Sequence, residues 1–224
     1  MSLITPEGYQ QPDAAVDLVR MGPTGEPLSP FLVLMFYAKG IFPWLHNQHS
    51  QRLWWSPEPR SVLLMSELHI SRSLRRTLRR GKYRVTADTQ FEEIVRLCGI
   101  TRNDSWVSEE IVQVFTELHR LGHAHSIETW EGDQLVGGLY GVCVGRMFYG
   151  CSMFHTRPDA SKVALVTLAT QLSKWRFPLI DCQIHNPHLQ RMGARLIPRE
   201  SFHKLAEMLV RGPRKLGSWT QFFT

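Results

Sequence analysis

The sequence predicts an α+β fold, one mixed sheet flanked by helices, and three observations predict it. Ala124 to Trp130 and Gln134 to Val144 read as two strands joined by a Glu-Gly-Asp turn, and Arg146 to Ser152 follows as a third across Gly145. Val163 to Lys174 then places Leu165, Leu168, Ala169 and Leu172 on one helix face. Beyond it, Leu179 to Ile184 is a short apolar run of the kind that fills the middle of a sheet.

The 224 residues can bury a full core. A formal charge of +6 is compatible with a polyanionic partner, and where that charge sits matters more than its sum. Cys98, Cys143, Cys151 and Cys182 form no C-x-x-C pair, and neither a signal peptide nor a membrane-spanning apolar run is visible. A reduced, cytoplasmic setting follows as the expectation. The histidines do not form a metal motif: His46-x-x-His49 lies in a polar loop, and the His119/His123 pair lacks the intervening Glu of a zinc-protease helix, so no metal is expected.

Taken in order, residues 1 to 28 read as an irregular arm rich in Gly, Pro and Gln. Ser29-Pro30 is an N-cap with proline in the first turn, and the helix it starts runs to Gly40. Trp44, Trp54 and Trp55 fall among prolines that argue against a regular helix or central strand. They serve either to pin the arm to the main domain or as a platform on which a base stacks. Ser61 to Ile70 reads as a strand, and Ser71 to Arg80 as a helix stopped by Gly81. Arg72, Arg75, Arg76, Arg79 and Arg80, with Lys82 and Arg84 beyond, give that segment a cationic face suited to phosphates.

After a strand from Tyr83 to Ala87, Thr89-Gln-Phe-Glu92 reads as a capping box for a helix that ends at Gly99 and carries Cys98 on its core face. Ser108 caps the next helix, with Glu109 and Glu110 in its first turn and Gly122 past its end. Trp106 lies on the loop before it, where an aromatic can face a ligand. The pair Gly137-Gly138 suggests a bulge or a close approach of a ligand to the backbone. A last helix spans Ser201 to Gly212, and Trp219 to Phe223 closes the chain apolar.

Few residues here suit chemistry. Asp181 and Gln183, two apart on a strand, point to one face while Ile180, Cys182 and Ile184 point to the other. They form either a structural hydrogen-bonded pair or a polarising one, in which Asp181 orients Gln183 and its side-chain oxygen accepts from an attacking amine. Cys151 has no feature that lowers a thiol pKa, which weighs against a nucleophile. Gly145 to Ser152 has P-loop glycine spacing but carries Cys151 where the lysine must be, and no G-x-S-x-G elbow exists.

Several segments together resemble the leucyl/phenylalanyl-tRNA-protein transferase family: Gly40-Ile-Phe-Pro-Trp44, Trp54-Trp-Ser-Pro-Glu-Pro-Arg60, Leu68-His-Ile-Ser-Arg-Ser73, Leu118 to Glu128, Leu135-Val-Gly-Gly-Leu-Tyr-Gly141, Ser152-Met-Phe154, Ala160-Ser-Lys162 and Leu179-Ile-Asp-Cys-Gln183. The resemblance implies a small N-terminal domain (residues 1–60) and an acetyltransferase-like, GNAT-like domain (residues 61–224). It implies no cofactor and no coenzyme A. It implies transfer of Leu, Phe or Met from aminoacyl-tRNA to proteins that begin with Arg or Lys, marking them for N-end rule degradation, by a cytoplasmic monomer without membrane contact. By position, Trp44 and Trp106 would meet the terminal adenosine. Arg72, Arg75, Arg76, Arg79, Arg80 and Lys82 would meet the acceptor stem. Leu139, Leu165, Leu168, Leu172 and Ile180 would form the side-chain pocket, with Cys151 and Ser152 on its wall, and Asp181 and Gln183 would assist the amine. The chain departs from the family's Gly-Glu-Ser-Met-Phe by placing Cys151 after Gly150, which opens the alternative of a catalytically weak tRNA-binding relative.

Overall fold

The computed structural model describes residues 18–19, 28–46, 52–102, 107–213 and 215–223. Most of the arm, His49 and Trp106 lie outside them, as does the side chain of Trp44.

Two sheets organise the described residues. The smaller is antiparallel, in the order β1 (Leu18–Val19), β3 (Arg52–Trp55), β2 (Phe42–His46), with α1 (Pro30–Ala38) leading into β2. This corrects the expectation of an irregular arm at Leu18–Val19 and the exclusion of a central strand at Trp54–Trp55. Pro57 falls after β3 has ended, and Pro43 sits in the edge strand β2, where proline is tolerated. Ser29 caps α1 through the N–H of Leu32.

The larger sheet has seven strands. β4 (Arg60–Leu64) is followed by a 3₁₀ turn at Met65–Glu67, so the strand expected to reach Ile70 stops early. Next come α2 (Arg72–Arg79), β5 (Arg84–Ala87), α3 (Phe91–Arg102), α4 (Glu109–Arg120), β6 (Ala124–Glu131), β7 (Gln134–Val144) and β8 (Met147–His155). α5 (Ala160–Lys174), β9 (Leu179–Gln183), α6 (Pro187–Gln190), β10 (Arg195–Ile197) and α7 (Arg199–Val210) follow, with a last 3₁₀ turn at Thr220–Phe222. The strand order is β10-β4-β9-β8-β7-β6-β5, antiparallel throughout except for β8 and β9. That parallel step needs a crossover, and α5 provides it.

Helices cover both faces. α5 lies on β6 and β7, with Leu74 of α2 in the same core, while α1, α3, α4 and α7 pack the opposite face. Two local expectations fail for identifiable reasons. Thr89 does not close a capping box: its hydroxyl donates to the buried carboxylate of Glu128 at 2.9 Å, which also accepts from Thr86 and Ser126. Gly99 does not end α3 but lets Val107 approach, since a Cβ there would sit 2.9 Å from that residue's Cβ. Likewise Gly137 admits Ala160 of α5 and Gly138 admits Ile94 of α3, so the close approach inferred from the two glycines is by helices and not by a ligand.

Candidate active site

β8 and β9 pair only at Phe148 with Ile180 and at Tyr149 with Asp181, then separate. Each strand carries a bulge just past that point. Against β7, Gly150 opposes Gly141 and Ser152 opposes Tyr140, leaving Cys151 as the extra residue. Against β4, Asp181 opposes Val62 and Gln183 opposes Ser61, leaving Cys182 extra. A bulge bends its strand and re-aims side chains, so two on neighbouring strands hold the sheet open. A cavity fills the opening.

Its apolar lining includes Leu139, Phe148, Leu165, Leu168 and Ile180, and its polar lining includes Tyr37, Cys151, Ser152, Asp181 and Gln183. Phe42 and Pro43 of the smaller sheet form part of the rim, and His185 and Asn186 another part. Of the pocket residues expected from the sequence, Leu172 alone stands apart. It is fully buried in the core of α5 and does not line the cavity, being one helical turn beyond Leu168.

Asp181 is fully buried and accepts a two-pronged pair from Arg60, from Nε at 2.8 Å and from the second guanidinium nitrogen at 2.6 Å. This is the fork geometry in which an arginine–carboxylate pair is strongest. The carboxylate also accepts from the backbone N–H of Gln183 at 2.9 Å. The bond between Asp181 and Gln183 is thus made to the main chain of Gln183 and not to its side chain. Gln183 has φ +63°, a left-handed conformation that costs a non-glycine residue roughly 1–2 kcal/mol. The bond from Asp181 helps hold it there. The reversal also breaks strand alternation: Ile180 and Cys182 face α5 as expected, but Ile184 packs on the opposite face, with the α1 side.

Cys151 is not an activated thiol. Burial pushes its pKa up to about 12, and its Sγ lies 3.2 Å from the hydroxyl of Tyr37, itself raised by burial and so a neutral phenol. Next to it, the hydroxyl of Ser152 is buried without a partner among the described residues. Together these groups offer a ligand neutral hydrogen-bonding partners beside an apolar slot.

The cationic face lies elsewhere on the surface. Arg72, Arg75, Arg76, Arg79 and Arg80 are exposed along α2 and its end, and none makes an ion pair with a described residue; Lys82 pairs with Glu131 at 3.2 Å. Ile70, Arg72, Arg75, Leu78 and Arg79 line a shallow groove there. Trp44 is placed by its backbone in β2, two residues from the cavity rim at Phe42. Two residues of the site were missed in the sequence, Tyr37 on the cavity wall and Arg60 behind Asp181. Tyr37 reads as an ordinary apolar helix position, and Arg60 as the end of a proline-rich loop; the only signal was an arginine opening a strand that continues Ser-Val-Leu-Leu. Among the described residues no group of three or more His, Cys, Asp or Glu could hold a metal, and no helix is long and apolar enough to cross a membrane.

A mixed sheet opened between two bulged strands, with a slot that is apolar at one side and polar at the other, defines a mixed α+β protein with an enclosed binding site, and relatives of known class make it a transferase. The leucyl/phenylalanyl-tRNA protein transferase family model matches residues 62–207, and the model of that family's N-terminal domain matches residues 26–58. A leucyl/phenylalanyl-tRNA–protein transferase of Anaeromyxobacter sp. (strain Fw109-5) is 50% identical over 199 residues, 87% of this chain and 84% of that protein. One from Nitrosomonas europaea is 47% identical over 203 residues, 89% of this chain and 86% of that protein. The chain belongs to the leucyl/phenylalanyl-tRNA protein transferase family, and it is an aminoacyl-tRNA–protein transferase. Among solved structures, an aminoglycoside acetyltransferase from a soil metagenome matches at TM-score 0.41 and 12% identity, over 48% of this chain and 80% of that one, a likeness too loose to bear on function.

Proposed function

We propose that this chain moves Leu, Phe or Met from aminoacyl-tRNA to the α-amine of proteins that begin with Arg or Lys, the tagging step of N-end rule degradation. The observation that carries the reading is the cavity itself: an apolar slot of Leu139, Phe148, Leu165, Leu168 and Ile180 next to Gln183. An aliphatic or aromatic side chain fits the slot, and its carboxyl carbon then lies toward the polar wall.

The ester is already activated, so the protein's task is to align amine and carbonyl and to exclude water. The acceptor nitrogen attacks the ester carbon, the new C–N bond forms, and the bond to the ribose oxygen breaks. The side-chain oxygen of Gln183 accepts a hydrogen bond from the amine, and the proton lost by nitrogen ends on the departing ribose hydroxyl. Cys151 and Ser152 line the wall beside the reacting carbon. Trp44 and Trp106 meet the terminal adenosine, and Arg72, Arg75, Arg76, Arg79, Arg80 and Lys82 meet acceptor-stem phosphates. In this reading residues 1–60 form a small domain that presents Trp44 to the larger one, and the enzyme works in the cytoplasm as a monomer without a cofactor.

The test is transfer of radiolabelled Leu, Phe or Met from charged tRNA to peptides starting with Arg or Lys. Transfer to such peptides supports the reading, and its absence with all three donors removes it. One observation favours a second reading, a tRNA-binding relative of low activity: Cys151 is a buried neutral thiol where the family resemblance leads one to expect Glu. Salt-sensitive tRNA binding with negligible transfer, and transfer gained in Cys151→Glu, would select it.

A further inference from the structure

We propose that Arg60 is the positioning residue that sets the aminoacyl-tRNA side and the amine side of the site in register, an inference that rests on the reading of Gln183 as the amine's partner. Arg60 is fully buried, and three of its nitrogens are engaged in two directions. Nε and one terminal nitrogen grip Asp181, whose carboxylate holds the backbone N–H of Gln183. The other terminal nitrogen donates at 2.9 Å to the carbonyl of Gly40, at the turn that delivers α1 into β2. β2 is the strand that carries Trp44, and its first two residues form part of the cavity rim.

The guanidinium is also fixed in plane. Its central carbon lies 4.9 Å from the Phe42 ring centroid and 4.3 Å from that of Phe202, so a residue of β2 and a residue of α7 both pack on it. A planar fork with fixed donors transmits position in a way that a flexible ammonium does not. Neutralising Asp181 accounts for one of these interactions only. The bond to Gly40 and the packing of Phe42 serve no purpose for the carboxylate, and both tie β2 to the same point as Gln183.

The experiment compares wild type with Arg60→Lys, Arg60→Met and the double variant Arg60→Met/Asp181→Leu, the last replacing the buried pair by apolar side chains, an exchange that buried ion pairs commonly tolerate. Each is checked for folding by circular dichroism and thermal melting, then read by amide exchange at Gln183 and at Phe42 to His46, and by kcat and KM for transfer. Folded Arg60→Lys and the folded double variant are expected to lose on the order of 10²-fold in kcat at saturating substrates. Exchange is expected to rise on the order of tenfold at Gln183 and in β2 together, while β7 stays protected. Retention of charge by lysine without retention of rate separates positioning from neutralisation. Wild-type kcat in either folded variant, or unchanged exchange at Gln183 and β2, overturns the proposal. If wild type transfers nothing yet the two segments still open together, the functional reading fails and the coupling through Arg60 stands. If wild type transfers and the variants match it in both readouts, the reverse holds.

Discussion

Gln183 combines a conformation and a chemical role that a single substitution can separate. Its φ of +63° is one that glycine adopts freely, so Gln183→Gly keeps the backbone path and the bond from its N–H to Asp181 while removing the side chain. Relief of strain offsets the missing side-chain packing, and stability should stay within about 1 kcal/mol of wild type, measured by denaturant midpoint. Transfer, by comparison, should fall by at least about 10²-fold if the side-chain oxygen meets the amine. A variant equally stable and fully active would leave Gln183 with no part in the reaction. Cys151 supports a different measurement at the same scale. All four cysteines are buried and free, and burial drives the thiol pKa of Cys151 up to about 12. An aromatic disulfide reagent at pH 8 should therefore find no reactive thiol in the native enzyme, and four after unfolding. Rapid native labelling of Cys151 would revive the nucleophile that burial argues against, the bond with Tyr37 acting only to lower the thiol pKa.

At the scale of elements, α2 is the case where charge and stability come apart. Its arginines are exposed and Leu74 is its buried anchor, so Arg72→Ala/Arg76→Ala/Arg79→Ala should melt close to wild type. If those side chains lie along tRNA phosphates, the slope of log K against log salt should become shallower by roughly 0.7–0.9 for each phosphate that is no longer neutralised. An unchanged slope would place the tRNA on another surface. The elements themselves were legible to different degrees, and the reason is locality. The ends of α1 and α4 are determined by Ser29 and Ser108, whose side chains bond N–H groups three residues on, and both were readable as caps. Thr89 had the same local pattern, but Glu128, 39 residues away, takes its hydroxyl, and no window of sequence reveals that competition. Strands suffered similarly. Asp181 and Gln183 were legible as a polar pair on one strand, yet the bulges that free Cys151 and Cys182 come from registers against β7 and β4, so neither the reversal at Gln183 nor the partner Arg60, 121 residues from Asp181, could be read beforehand.

The whole molecule is closed by its own C-terminal segment, and that closure gives stability a dependence on pH. Trp219 is buried and stacks on the His125 ring at 3.6 Å, and its backbone N–H donates to Asp88, which also holds Nδ1 of His125 at 2.9 Å. The segment thus joins the end of the chain to β6 and to the turn after β5. Removing the indole in Trp219→Ala should cost about 3–5 kcal/mol, the range for emptying a large aromatic site. The effect of pH follows from His125. Burial lowers its pKa below the usual 6.5, the bond to Asp88 only partly opposing the shift, and His119 nearby adds to the lowering. Between that lowered value and 6.5 the unfolded chain binds a proton that the folded chain refuses. Stability is therefore highest above pH 6.5 and declines as the pH falls through that window, by up to about 1.4 kcal/mol per pH unit from this one group. His188 and His203, both lowered chiefly by burial, act in the same direction. Urea midpoints taken from pH 7.5 down to 5.0 should fall steadily in wild type. In His125→Gln, which cannot take up that proton in either state, the decline should be shallower although the starting stability is lower. Equal slopes in the two proteins would mean that His125 titrates alike folded and unfolded, and that Trp219 shields it less than the stacked geometry requires.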